Sequence, residues 1–253
     1  MTKTLRKIVC IGDIHGRDDW NKIVDDNQDA DLFVFLGDYV STHDRKGITD
    51  EIQLNNLMDI LLFKEENPER VILLRGNHDM QHLNYYWAEC CAYFRGVAQE
   101  MSKPEIKDRY LRDTQWVYVM GDIIFSHAGI TDRWFHDSGC ETVEDINNLE
   151  PSELFGFRPC KLSDYYGISK TQGPTWVRPQ TLLDYALPHY TQVVGHTTLK
   201  HIVNFTDVCR EDAKNNPDSP WKVPDDAIDI WVCDCDLKEY LVIEGDKFTV
   251  KTV

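Results

Sequence analysis

"KIVCIGDIHGRDDWNKIVDDNQDADLFVFLGD", residues 7–38, places two short apolar runs on either side of a segment with helical spacing. Each run ends in Gly-Asp. The runs "KIVCIGD" (7–13) and "DLFVFLGD" (31–38) read as buried strands, and residues 17–28 between them read as a helix. The same shape returns in "RVILLRGNHD" (70–79), "WVYVMGDIIFSHAG" (116–129) and "YTQVVGHTT" (190–198). A second helix is expected over 50–67, with Ile52, Leu54, Leu57, Met58, Leu61 and Leu62 before the stop at Asn67-Pro68. Strand, helix, strand, helix, strand is an α/β order. Near the C-terminus, "IDIWVCDCD" and "KEYLVIEGDKFTVKTV" with its Gly-Asp turn predict antiparallel strands and a terminal hairpin. A mixed β core with helices outside accounts for both halves.

The chain has 253 residues, 42% of them apolar, and is read as one domain over 1–253. Stretches at about 80–112, 131–189 and 207–227 are less regular and read as insertions on one face; the last is expected to be an exposed loop. With 27 basic and 43 acidic side chains the formal net charge is −16, a field that repels polyanions and argues against general nucleic-acid or membrane binding. No apolar stretch reaches the ~18–20 residues of a membrane span. The N-terminus runs straight into a strand instead of a signal-peptide core, so a cytoplasmic protein is expected. Eight cysteines without a CxxC pair are expected to be reduced and mostly buried.

Ligands of open α/β sheets collect beyond the carboxyl ends of the strands. Here those ends carry Asp13 and His15, Asp38, Asn77 and His78, His127, and His196. Carboxylate, imidazole and amide oxygen together suit a divalent metal such as Mn, Fe, Zn or Ni. Such a set exceeds one tetrahedral ion and fits two neighbouring ions sharing a carboxylate, an arrangement suited to phosphoryl displacement. Glycines beside these residues permit tight turns and close approach.

In order, "GDIHG" (12–16), "GDYV" (37–40), "RGNHD" (75–79), "SHAG" (126–129) and "GHT" (195–197) resemble the motif set of calcineurin-like metallophosphoesterases. They are most similar to the branch of serine/threonine phosphoprotein phosphatases and bacterial diadenosine tetraphosphate hydrolases. The resemblance implies two mixed β-sheets packed as a sandwich flanked by helices, with a dinuclear site at the edge. It assigns Asp13 and His15 to one metal, Asp38 as the bridge, and Asn77, His127 and His196 to the other. It also makes His78 the general acid, with attack by a metal-bridging hydroxide. Arg75 matches a phosphate-binding arginine, and Arg178 in "GPTWVRP" resembles a third arginine of the bacterial members. "GHT" without the second His of "GHxH" favours the phosphatase-like branch.

One loop departs from that pattern. The branch continues its second motif as "GDxVDRG", whereas this chain reads "GDYVSTHDRKG" (37–47). Two alignments are open: Ser41 takes the place of the residue supporting His78, or the loop bulges and Asp44 and Arg45 recover the usual places. The bulge is preferred, since a general-acid imidazole without an orienting partner is a poor proton donor.

His82, His136, His189 and His201 read as caps or turn residues, and Asp122 as a hairpin turn. Strand alternation in "CDCD" (233–236) would put Cys233 and Cys235 inward and Asp234 and Asp236 outward. Tyr85, Tyr86, Trp87, Tyr93 and Phe94 read as a helix packing face, or else as a base-stacking pocket. A phosphoprotein-phosphatase-like phosphomonoesterase is the leading function. A dinucleoside polyphosphate or other nucleotide hydrolase, a nucleic-acid terminal phosphatase and a non-catalytic binding module are the alternatives.

Overall fold

The first two strands show how the layers form. Strands β1 (Ile8–Ile11) and β2 (Leu32–Phe35) pair in parallel and are buried throughout. Successive side chains point to opposite faces of a strand. Val9, Ile11, Phe33 and Phe35 accordingly enter a core with Trp20 and Ile23 of helix α1 (Trp20–Asp25) and with Leu57, Ile60 and Leu61 of α2 (Asp50–Glu66). Ile8, Cys10, Leu32 and Val34 enter a second core, shared with Phe125 and Val193 of another sheet. Each such aliphatic or aromatic side chain is worth roughly 1.5–3 kcal/mol when fully buried.

The computed structural model describes residues 7–42, 47–83, 94–150 and 169–253. Its remaining strands are β3 (Val71–Leu74), β4 (Thr114–Gln115), β5 (Val117–Met120), β6 (Ile123–Ser126), β7 (Thr191–Val194), β8 (Val203–Asn204), β9 (Ile230–Val232), β10 (Glu239–Glu244) and β11 (Lys247–Thr252). One sheet runs β11-β10-β1-β2-β3-β4, the other β5-β6-β7-β9-β8. Both are mixed: β1, β2 and β3 are parallel to one another, as are β6, β7 and β9, with antiparallel strands beside them. The expected sandwich of mixed sheets with flanking helices is the observed architecture. Helix α3 (Asn77–His82) begins directly after β3, followed by α4 (Arg95–Met101), α5 (Pro104–Asp113) and α6 (Asp132–Ser138). Helix α7 (Pro179–Tyr185) precedes β7. None of the described helices is long and apolar enough to cross a membrane.

The run 116–129 is two strands joined by a tight turn at Gly121 (φ 60°) and Asp122, the hairpin turn expected there. Several local expectations are corrected. In α2, Ile52 and Leu62 face solvent, while Gln53 and Asn56 are buried because Gln53 accepts from Ser41 N and Asn56 accepts from Trp20 Nε1. Residues 207–215 of the presumed 207–227 loop belong to helix α8 (Phe205–Asn215), capped by Asn204 and buried through Phe205 and Cys209. Asp234 is buried alongside Cys233 and Cys235, because β9 stops at Val232 and strand alternation no longer applies. Among the described cysteines, Cys10, Cys209, Cys233 and Cys235 are free and buried, and burial pushes the Cys235 thiol up to about 11. Tyr85, Tyr86, Trp87 and Tyr93 lie outside the described residues.

Candidate metal centre

Six residues expected from the strand ends meet at the edge where the two sheets face each other. Asp13 and His15 follow β1, Asp38 follows β2, Asn77 follows β3, His127 follows β6, and His196 follows β7. Two sets of ligand atoms form, each with members within 4.8 Å of one another: Asp13, His15 and Asp38, and Asp38, His127 and His196. Asp38 belongs to both. Asn77 Oδ1 joins the second set, 2.8 Å from His127 Nε2 and 3.0 Å from His196 Nδ1.

The backbone is bent to present them. His15, Asp38 and His196 take φ values of 47°, 51° and 62°, and Ser41 takes 76°. Non-glycine residues adopt this left-handed region at a cost, and such outliers gather at functional sites. The turns are locked to each other. Ile14 N and His15 N both donate to Asp38 O, at 3.1 and 2.7 Å, and His196 N donates to the Asp13 carboxylate from 183 residues away. Gly76 is required because a Cβ there would overlap Asp38 Oδ1 and Asp38 N, and Gly195 because a Cβ would overlap Asp13 Oδ1.

Each imidazole is oriented by a backbone carbonyl, which can only accept. His15 Nδ1 is 3.2 Å from Val40 O and His127 Nδ1 2.7 Å from Leu36 O, so both turn Nε2 inward. His196 is reversed: Nε2 donates to Trp176 O at 3.0 Å and Nδ1 faces inward. Such carbonyl partners set the tautomer and direction of metal-binding histidines.

The charges are strongly coupled. Burial, then Asp234 and Asp38, push the Asp13 carboxyl well above its usual range, with His127 opposing. Burial also works to raise Asp38, but His127, His78 and His15 outweigh it and hold that carboxyl well below the usual range. His127 is pushed up to about 10: burial lowers it, and Asp38 at 3.3 Å together with Asp13 more than compensates. Burial, Arg178 and His127 hold His196 well below its ordinary value. Inward-facing oxygens and ring nitrogens converge here from five loops. The residues present fit divalent ions, whose binding displaces protons from such ligands.

His78 lies beside the cluster, with Nε2 3.9 Å from Asp38 Oδ2 and Nδ1 2.8 Å from Ser41 Oγ. The described geometry therefore has the contact expected of the first alignment of the loop; Asp44 and Arg45 lie outside the described residues. Arg178 reaches the cluster's rim, its Nη1 donating to His196 O at 2.8 Å and Thr197 Oγ1 at 3.1 Å. Arg75 is engaged elsewhere as well: Nε and Nη2 donate to Thr114 Oγ1, Leu111 O and Thr114 O, and the guanidinium lies 4.7 Å over the Trp116 ring. His82 is buried between His78 O and Phe94 N, as a satisfied structural histidine.

Four supporting residues escaped the reading of the sequence. Arg17, directly after "GDIHG", donates to Ile14 O and Asp13 O and pairs with Asp236 at 3.2 Å, clamping the first ligand loop. Asp79 accepts from Tyr39 N, Val40 N, Gly76 N and the Tyr110 hydroxyl, joining the second and third motifs. Burial, then Asp38, raises its carboxyl to about 8, against the opposing influence of His127 and its backbone donors. Asp234 accepts from Thr198 Oγ1 at 2.5 Å and braces the His196 loop. Gln53 holds Ser41 N at 2.7 Å. Proximity to a motif was the available signal for Arg17 and Asp79; Gln53 and Asp234 had none.

A model of the family described as calcineurin-like phosphoesterase matches residues 6–233. Among curated proteins, serine/threonine-protein phosphatase 5 of Homo sapiens is 25% identical over 156 residues, 58% of this chain and 28% of that protein. The rat and mouse counterparts match equally, so the matched stretch spans little more than a quarter of these relatives. Among solved structures, the cold-active protein-tyrosine phosphatase of a psychrophilic Shewanella superposes with a TM-score of 0.60 at 18% identity, covering 98% of this chain and 80% of that one. A Saccharomyces cerevisiae serine/threonine phosphatase with similarity to human PP5 gives 0.57 at 12% identity, covering 98% and 79%. A metallophosphoesterase from Sphaerobacter thermophilus gives 0.55 at 15% identity, covering 99% and 89%. At these identities the superpositions establish a shared fold.

Proposed function

Since this chain belongs to the calcineurin-like phosphoesterase family, we propose that it is a metal-dependent phosphoric ester hydrolase, a dinuclear phosphomonoesterase of the phosphoprotein-phosphatase type. The observation that carries this reading is the pair of ligand sets meeting at Asp38. Asp13, His15 and Asp38 would hold one ion, and Asp38, Asn77, His127 and His196 the other. When bound, two divalent ions supply Lewis acidity that lowers the pKa of water and neutralises phosphoryl charge.

The protein's own groups do the rest. Carbonyls of Val40, Leu36 and Trp176 keep three imidazoles aimed inward, so little reorganisation is needed during reaction. His78 would give a proton from Nε2 to the departing oxygen, a contribution of about 10²–10⁴-fold for general acids. Arg178, fixed against the His196 loop, would meet phosphate oxygens. Arg75, with Nε and Nη2 bonded to Leu111 and Thr114, secures the exit of β3 and thereby the start of α3.

Metal analysis of the purified chain, with hydrolysis of p-nitrophenyl phosphate measured beside bis-p-nitrophenyl phosphate and a dinucleoside tetraphosphate, tests the reading. Two ions per chain and a preference for the monoester are expected. A single ion, or faster cleavage of the diester or the dinucleotide, contradicts it.

A further inference from the structure

One buried guanidinium gathers acceptors from the exits of both sheets. Arg17 donates from Nε to Ile14 O at 3.0 Å and from Nη2 to Asp13 O at 2.9 Å, and its Nη1 lies 3.2 Å from Asp236 Oδ1. Asp13 and Ile14 belong to the turn after β1 in the first sheet, whereas the half-buried Asp236 stands past the end of β9 in the second. The two exits also touch directly, since a Cβ on Gly12 would overlap Cys233 O. At its other end Arg17 is held by α2, its carbonyl accepting from Asn56 Nδ2 at 2.9 Å. Asp236 is likewise fixed: its backbone is left-handed, at φ 65°, and its Oδ2 lies 3.2 Å from Lys238 Nζ.

We infer that Arg17 and Asp236 form a latch that positions the loop carrying Asp13 and His15, and that this latch sets divalent-ion affinity at the position of Asp13, His15 and Asp38 selectively. The inference rests on the dinuclear reading. A guanidinium near a metal position can act in two opposed ways. As a positive charge it repels a dication; as a rigid fork it holds a ligand loop in its binding shape before the ion arrives. The contacts point to the fork. Two of its nitrogens bond the peptide carbonyls of residues 13 and 14, the backbone from which the Asp13 carboxylate projects, and Asp236 offsets the charge on the third. His15 follows on the same turn, in a left-handed conformation that needs outside support. His127 and His196 are oriented by Leu36 O and Trp176 O, so loss of the latch would reach their position mainly through the shared Asp38.

The test is calorimetric titration of the metal-free full chain with Mn²⁺, in wild type and in two backgrounds: His196→Ala, which keeps the position of Asp13 and His15, and Asp13→Asn, which keeps the other. In the His196→Ala background, Arg17→Met and Arg17→Lys should each weaken Mn²⁺ binding at least about tenfold, and in the Asp13→Asn background less than about threefold. Asp236→Asn should act in the same direction, and because Asp236 is half-buried it carries the test even where a substitution at Arg17 prevents folding. Charge acting alone gives a different pattern: Arg17→Met tightens binding, Asp236→Asn weakens it and Arg17→Lys leaves it unchanged. That pattern overturns the inference. Equal weakening in both backgrounds, tracking the urea midpoint of each variant, overturns it as well, and so does the absence of Mn²⁺ binding in both backgrounds, since the positions would then fill only together. In each of these cases a wild type that takes up two Mn²⁺ leaves the dinuclear reading standing. A wild type that takes up one removes both.

Discussion

The two halves of the candidate metal centre are built by different means. On the side of the first sheet, Asp13, His15 and Asp38 sit on interlocked turns whose backbones bond one another, and Asp234 adds a further buried carboxylate. On the side of the second sheet, His127 and His196 meet Asn77, and among the described residues Asp38 is the one carboxylate grouped with them. One half is rich in carboxylate oxygen and the other in imidazole nitrogen. Metal preference follows ligand type, so the two positions should differ in affinity while depending on one common residue.

Asp38→Asn is the strongest way to break that comparison, because it removes the shared anion from both halves. Turnover should fall at least ~10³-fold, in line with the several kcal/mol that metal charge supplies to phosphoryl transfer. Elemental analysis should show both ions depleted; two tightly held ions would remove Asp38 from the shared role.

Gly76→Ala attacks the same residue sterically, since its Cβ would overlap the Asp38 carboxylate and amide. Overpacking of this kind costs about 1–3 kcal/mol, and urea unfolding should register it together with impaired metal binding. Wild-type stability and full metal content would show that the turn can yield.

His196→Ala should sharpen the contrast by emptying the nitrogen-rich half alone. A loss of at least ~100-fold in activity is expected, the upper end of what even indirect metal partners cost. One ion per chain should remain, and Asp13→Asn should give the complementary result; loss of both ions in each variant would mean that the halves fill only together.

Thr198→Val makes the smallest change, cutting the bond to Asp234 behind the His196 loop. Hydrogen bonds to charged groups are worth about 1.5–3 kcal/mol, and chemical denaturation should show a loss of that size or less. An unchanged unfolding midpoint would make the Asp234 brace unimportant to stability.

The strand-end groups were legible because apolar runs end at or just before them, with a glycine close by, and the family resemblance separated the six candidate ligands from His78. The buried β1 and β2 runs and the terminal hairpin were legible because alternation and turn chemistry are local. Helix α8 was missed although Asn204, Phe205 and Cys209 carried its cap and buried face, because the surrounding Pro, Asn and Asp outweighed them in a local reading.

What the sequence by itself determined is therefore the order of layers and the identity of the groups at the strand ends. The tertiary structure alone decided which groups support them. Ser41 meets His78 across 37 residues, Arg75 folds onto Leu111 and Thr114, and Asp234 turns inward where β9 ends. Side chains on left-handed turns and past strand ends follow no period. Their direction is set by partners such as Gln53 and Thr198, which are neighbours only after the chain has folded.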